Sequence, residues 1–271
     1  MGVTGYRTRG EGTVRVFGMA LFLAALLLLI PARGSRAEGW ERFEQPYGGK
    51  LTSPYMWYWI YFPEKTEPGM PLVVYLHSTH GCSNQALTHE KFTGMINDGT
   101  IQDSQALILV PQLPGGFDDD WAMAIGSVNN IVERVIEEYQ VDETRVALTG
   151  FSLGGVYVWD VAASTPGRYT RLMSLCGRVH YLRIHEEAFE GVEVRAYTAR
   201  RDEAVSPATV INFMEKLKQA GVDATHVELE LKHAEVPAAV YADREVQEWL
   251  WMQPAQDTGE SEGTDGEGIG E

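Results

Sequence analysis

Residues 148–155, LTGFSLGG, place a serine between glycines at the end of an apolar run. The pattern G-x-S-x-G is short, so its meaning depends on what flanks it. Before it stands TRVALTG (144–150), a run with the length and composition of a buried strand, and after it GGVYVWDVAAS (154–164) can open a helix. Strand, sharp turn and helix are the setting in which a serine hydroxyl is raised above the edge of a sheet as a nucleophile. Such a turn brings the strand and helix backbones together, so a side chain at Gly150 or Gly154 would clash, and Gly155 relieves the same crowding one residue on. A phosphate-binding loop would need a lysine after the glycines, and none is there.

Outward from this turn, short β-rich runs alternate with helix-like segments. MWYWIYF (56–62), PLVVYLH (71–77), QALILVP (105–111), TRVALTG (144–150), RLMSLCG (171–177), VEVRAYT (192–198) and THVELEL (225–231) read as strands. Val128, Ile131, Val132, Val135, Ile136 and Tyr139 recur at helical spacing. Val210, Phe213, Met214 and Leu217 do the same ahead of a terminating Gly221. Alternation at this pitch predicts an α/β domain with a mostly parallel sheet and helices on both faces. Only the proline-rich turn 63–71 separates the first two runs, which predicts an antiparallel hairpin between them at one end of the sheet. No insertion is long enough for a separate lid domain.

In open sheets of this class, chemistry gathers at the carboxyl ends of the strands. A serine needs a base to act at neutral pH, and His233, two residues past the last strand, is at the correct end. His226 opens that strand at the wrong end, while His180 and His185 belong to a loop that could line a pocket rim. The imidazole needs an acid to fix its tautomer. Asp202 follows the strand 192–198, with Glu203 one residue away as its rival. Asp160 and Asp243 fall in helices and read as structural or solvated. The order Ser152, Asp202, His233 is that of α/β-hydrolase triads. An oxyanion hole requires the backbone N–H after the nucleophile, Leu153, and a second from the loop HSTHGCSN (77–84), assigned to Ser78 or Thr79.

The chain has 22 basic and 38 acidic residues, a net charge of −16. Arg7, Arg9 and Arg15 precede an apolar run over 16–30, and small residues end near Ala37. These features predict a signal peptide over 1–37, with secretion or periplasmic export; an uncleaved membrane anchor is the alternative. The apolar run is short of the roughly 20 residues that span a bilayer. The acidic balance argues against nucleic acid and anionic membranes as partners, and against stable membrane association once the signal is removed. Residues 254–271 carry acids and glycines with almost no apolar residues, the composition of a disordered tail. Between the two ends, residues 38–253 are the size of one domain. Cys82 and Cys176 are the only cysteines, and their spacing does not decide whether they pair.

PLVVYLH (71–77), ILVPQLP (108–114), DETRVALTGFSLGGVYVWDVAASTPGRY (142–169), SLCG (174–177), Lys232-His233 and YADREVQEWL (241–250) together resemble the esterase and "predicted peptidase" branch of the α/β-hydrolases. That branch is related to the phospholipase/carboxylesterase and the feruloyl and polyhydroxybutyrate esterase-like families. The resemblance runs from about Trp57 to Trp251 and implies Ser152 as nucleophile, Asp202 as acid and His233 as base. It departs in the oxyanion loop, where the family has His-Gly and small residues but this chain has Ser78, Thr79 and His80 after His77. The loop PQLPGGFDDDW (111–121) matches a strand-end loop of the family. Trp121 is a candidate wall of the substrate pocket or else a buried anchor for the next helix, and His77 is a second candidate substrate-binding residue. Consecutive acids at Asp118, Asp119 and Asp120 read as solvated, no His or Cys cluster has metal-ligand spacing, and no cofactor is implied.

The expectation is an exported serine hydrolase that cleaves carboxylic esters through an acyl-enzyme, on short-chain or polysaccharide-linked substrates. A serine peptidase, or a non-catalytic binding protein on the same scaffold, is the alternative. Nothing in the sequence sets an oligomeric state.

Overall fold

The computed structural model describes residues 38–46, 55–101, 104–115 and 120–251; the expected signal over 1–37 and acidic tail over 254–271 lie outside the described residues. The strands are β1 (Gly39–Pro46), β2 (Tyr55–Phe62), β3 (Leu72–Leu76), β4 (Leu107–Gln112), β5 (Val146–Phe151), β6 (Arg171–Leu175), β7 (Glu193–Arg201) and β8 (Ala224–Lys232). The helices are α1 (Lys91–Asn97), α2 (Trp121–Tyr139), α3 (Leu153–Ser164), α4 (Ala208–Gln219), α5 (Val236–Tyr241) and α6 (Arg244–Trp251). One eight-stranded sheet runs in the order β1-β2-β4-β3-β5-β6-β7-β8. β3 to β8 are parallel, and β2 pairs antiparallel with both β1 and β4.

An antiparallel hairpin does sit at the N-terminal edge, but its strands are β1 and β2. The expected pairing of 56–62 with 71–77 does not form, because β4 lies between β2 and β3. The burial patterns give the reason. Every residue of β3 is buried, as in a central parallel strand, whereas β2 alternates, with one face half-exposed. Parallel neighbours on both sides suit the first pattern, and antiparallel partners near an edge suit the second. β1 was not anticipated at all: GWERFEQP carries Glu41, Arg42 and Glu44, which only an edge strand tolerates.

Successive residues of β3 point to opposite sides of the sheet and feed two cores. Leu72, Val74 and Leu76 pack with α2, α3 and α4, while Val73 and Tyr75 pack with α1, α5 and α6. The apolar stripe of α2, from Val128 to Tyr139, is buried as its spacing predicts, and so are Val210, Phe213, Met214 and Leu217 of α4. Gly221 takes a left-handed φ of 84° after α4, and its N–H caps Lys218 O. With six strands parallel, the segments that leave them all emerge at one end of the sheet. There the site assembles.

Candidate active site

β5 delivers its chain straight into α3 with one residue between them, Ser152. That residue is held at φ 54° and ψ −114°, a conformation that costs a non-glycine residue about 1–3 kcal/mol. The surroundings enforce it: Ser152 N–H donates to Leu175 O at 2.9 Å, tying the turn to the end of β6. A Cβ on Gly154 would lie 1.9 Å from Leu76 O, and one on Gly155 would lie 2.4 Å from Leu175 O. The N-terminus of α3 is therefore wedged between the ends of β3 and β6, and only glycine fits at either contact.

Asp202 follows β7 at once and His233 follows β8 at once. His233 Nδ1 lies 2.7 Å from Asp202 Oδ2, and its Nε2 lies 3.0 Å from Ser152 Oγ. A carboxylate only accepts, so Nδ1 carries the proton and Nε2 is left to accept from the serine hydroxyl. Asp202 Oδ1 accepts the N–H groups of Ala204 and Val205, each at 2.8 Å. Burial alone would raise the Asp202 pKa; the His233 hydrogen bond and the two backbone donors more than offset it and hold the carboxyl below its usual range. Glu203 is exposed and takes no part. His226, at the opposite end of β8, bonds Thr198 Oγ1 at 2.8 Å. His180 is held by Asp160 at 2.8 Å, which gives that helical acid a partner rather than solvent.

Cys176 lies behind the acid. It has φ 47°, and its Sγ, the Asp202 carboxylate and a His233 nitrogen lie within 4.8 Å of one another. Burial, then the Asp202 charge and the hydrogen bond between the two side chains, push its thiol pKa up to about 12. It is a thiol at neutral pH, and no disulfide joins Cys176 and Cys82.

The two predicted oxyanion donors of the 77–84 loop part company. Ser78 is buried with every polar group engaged. Its N–H and Oγ–H both donate to Glu90 Oε1, at 3.0 and 2.6 Å, and its Oγ accepts from His80 N–H at 3.1 Å. Its carbonyl accepts from His77 Nδ1 at 2.7 Å and from Gly81 N–H at 3.1 Å. Ser78 therefore has no N–H to spare for an oxyanion. Thr79 N–H, in the next peptide group, has no partner among the described residues. Leu153, the other expected donor, is the first residue of α3, whose backbone N–H has no intrahelical acceptor.

His77 and Trp121, the two candidate substrate-binding residues, are instead completely buried. The His77 ring is clamped at both nitrogens: Nδ1 donates to Ser78 O, and Nε2 accepts Leu113 N–H at 3.1 Å. Burial pushes its pKa down, against the raising effects of the Glu90 charge and the Ser78 hydrogen bond. Trp121 packs on that ring at 4.8 Å and donates its Nε1–H to His77 O at 3.1 Å. Both belong to the support beneath the loop rather than to a wall that substrate can touch. Sequence reasoning missed Glu90, Tyr75 and Gln112, whose amide donates to Gly81 O at 2.8 Å. A lone acid before a helix carries no local signal that it is buried.

A cleft of about 1360 Å³ lies at the amino ends of the parallel strands, bordered by Pro71, Gln105, Arg145 and Arg171. It is at the wrong end of the sheet to serve Ser152.

The strand order, the crossing helices and the serine turn define the α/β-hydrolase fold. Among solved structures, a thermostable esterase is 19% identical, covers 79% of this chain and 63% of its own, and has a TM-score of 0.60. The feruloyl esterase module from Clostridium thermocellum is 15% identical over 77% of this chain and 87% of its own, with a TM-score of 0.57. S-formylglutathione hydrolase from Staphylococcus aureus is 12% identical, with coverage of 80% and 98% and a TM-score of 0.57. In sequence, the chain is 29% identical over 112 residues to a bifunctional acetylxylan esterase/xylanase of Neocallimastix patriciarum. That match takes in 37% of this chain and 15% of the length of that enzyme. No family model matches the chain.

Proposed function

We propose that this protein is an exported serine hydrolase that cleaves carboxylic esters through an acyl-enzyme on Ser152. The observation that carries this reading is the unbroken chain Ser152 Oγ, His233 Nε2 and Nδ1, Asp202 Oδ2, at 3.0 and 2.7 Å, on a serine held in a strained elbow. His233 takes the serine proton as Oγ attacks the ester carbonyl, and the carbonyl oxygen gathers negative charge between Leu153 N–H and Thr79 N–H. The tetrahedral adduct collapses with loss of the alcohol, which receives the proton from His233. Water, deprotonated by the same imidazole, then attacks the acyl-enzyme and releases the acid. Asp202 holds the ring in the required tautomer and stabilises the imidazolium, without itself taking the proton.

The substrate class we assign is short acyl esters, including those carried on polysaccharide. The acetylxylan esterase activity of the sequence relative and the feruloyl esterase activity of the structural neighbour support it, together with the lack of a lid domain among the described elements. Export rests on the basic, apolar and small-residue sequence of 1–37. No helix among the described residues is long and apolar enough to cross a membrane.

A fluorophosphonate probe tests the nucleophile: the folded protein should label, and Ser152→Ala should not. p-Nitrophenyl esters of increasing chain length, acetyl-xylan, feruloyl esters and peptides then test the substrate class, with acetate turned over fastest among the chromogenic esters. Turnover of peptides with every ester inert would make the protein a peptidase. Absence of labelling and of turnover would make it a non-catalytic protein on this scaffold.

A further inference from the structure

We infer that Glu90 is a positioning residue for the oxyanion hole, and that by engaging Ser78 it fixes Thr79 as the donor. The inference rests on the reading of Ser152 as nucleophile. Glu90 stands at the N-terminal cap of α1, remote in sequence from every triad residue, and is 3% exposed. Its Oε1 accepts both donors of Ser78, and its Oε2 accepts the hydroxyl of Tyr75 at 2.5 Å. Three donors and no acceptor face it, the arrangement an acceptor-only carboxylate requires when buried.

Each partner of the carboxylate is itself fixed. Tyr75 is the fourth residue of β3, fully buried, with its ring 4.8 Å from that of Phe92 on α1. Burial and then the Glu90 charge push the Tyr75 pKa well up, so its hydroxyl remains a donor. The Glu90 backbone carbonyl accepts Gly94 N–H at 3.0 Å and Thr93 Oγ1 at 3.3 Å, which anchors the residue to the first turn of α1. Glu90 thus joins the last part of β3, the start of α1 and the first residue of the loop that follows His77.

The geometry decides between the two candidate donors. For Ser78 N–H to face an oxyanion, the peptide would have to turn away from Glu90, leaving a buried carboxylate short of a partner. With the Ser78 N–H committed to Glu90 and its carbonyl committed to His77 and Gly81, the following peptide plane is set, and its N–H is Thr79. The two hydrogen bonds on the Ser78 carbonyl also polarise that same peptide group, which strengthens Thr79 N–H as a donor. A serine where the resembled family has glycine is explained by the same contact, since its hydroxyl supplies the second bond to the carboxylate.

The test compares wild type with Glu90→Ala, Glu90→Gln and Ser78→Gly. It reads kcat and KM on p-nitrophenyl acetate, inhibition by a trifluoromethyl ketone that forms a tetrahedral adduct on serine, and Tm. Glu90→Ala should lower kcat about 10- to 100-fold, below the roughly 10²- to 10³-fold loss from removing a donor outright, with KM within a factor of about three. Ketone affinity should fall by the same factor as kcat/KM. Glu90→Gln, which keeps a carbonyl oxygen for Ser78, should recover most of both. Ser78→Gly keeps the N–H bond and loses the hydroxyl bond, and should show a smaller loss of the same kind even where Glu90→Ala does not fold. Wild-type kcat and ketone affinity in a folded Glu90→Ala or in Ser78→Gly, or a fall in Tm with ketone affinity unchanged, would overturn the assignment alone. A wild-type protein that neither labels with fluorophosphonate nor turns over any ester overturns the reading of Ser152, and this assignment with it.

Discussion

The chain Ser152–His233–Asp202 and the loop 77–84 after β3 stand side by side at one end of the sheet, yet they are built in opposite ways. Ser152, Asp202 and His233 each begin the segment that leaves a parallel strand, β5, β7 and β8, so topology alone brings together residues up to 81 positions apart. The loop after β3 gets no such help. Its shape comes from buried polar side chains, His77, Glu90, Gln112 and Trp121 Nε1, each of which makes at least one hydrogen bond to loop backbone or to Ser78. One half of the site is placed by the sheet and the other by a polar network in the core. Damage to the first should remove chemistry at a small cost in stability, whereas damage to the second should lower both substantially.

The largest effect belongs to the proposed triad. Ser152→Ala should lower kcat on the order of 10⁶-fold, the scale seen when a serine nucleophile is removed in a comparable triad. Steady-state assay of p-nitrophenyl acetate beside a thermal melt should show the rate gone and Tm nearly unmoved. Asp202→Asn should cost about 10⁴-fold through loss of the correct His233 tautomer. Its melt also reports on the acid. Because the folded Asp202 pKa is depressed, its stabilising contribution is present above the unfolded value of about 3.9 and is lost as pH falls through the folded value. The variant should therefore differ from wild type less and less in Tm as pH drops below about 4.

Trp121→Ala tests the other half. Removing a fully buried tryptophan costs about 3–5 kcal/mol, and the loss of its bond to His77 O should also loosen the loop and lower kcat. A melt unchanged within about 1 kcal/mol, with full activity, would break the contrast drawn between the two regions. A smaller effect concerns His77. Burial holds its folded pKa below the unfolded value of about 6.5, so the unfolded chain binds the extra proton first. Stability should fall as pH drops through about 6.5 toward the folded value. His77→Asn, which keeps a donor near Nδ1 but does not titrate, should lose less Tm than wild type between pH 7 and 5. His226 shifts in the same direction for the same reason, so some slope should remain.

What the sequence revealed follows the same division. Periodicity marked the apolar stripes of α2 and α4, and the ends of the parallel strands were legible because central strands are short apolar runs bounded by turns. The strand-end rule then singled out Asp202 and His233, which the structure brings to Ser152. It failed where neighbours in sequence are not neighbours in space. The alternating burial of β2 and the full burial of β3 distinguish their places, but pairing them through a short turn ignored that β4 could enter between. It left the loop open, since Ser78 and Thr79 look alike in sequence and the buried Glu90 that engages Ser78 gives no local signal. Trp121 and His77 drew attention as large functional side chains near the site, yet their burial makes them supports. A polar network has no period, so it leaves no pattern to read.

The wedge of Gly154 and Gly155 between β3 and β6 also has a consequence in time. Ser152 N–H is bonded to Leu175 O and cannot swing free unless the start of α3 withdraws from two central strands together. Local fraying offers no route for that motion, so this amide should exchange with solvent deuterium only when the whole domain unfolds, at the rate of the slowest protons in β5. Ser152 would then be among the least mobile parts of the backbone, and any substrate would be accommodated by loops moving around a fixed serine.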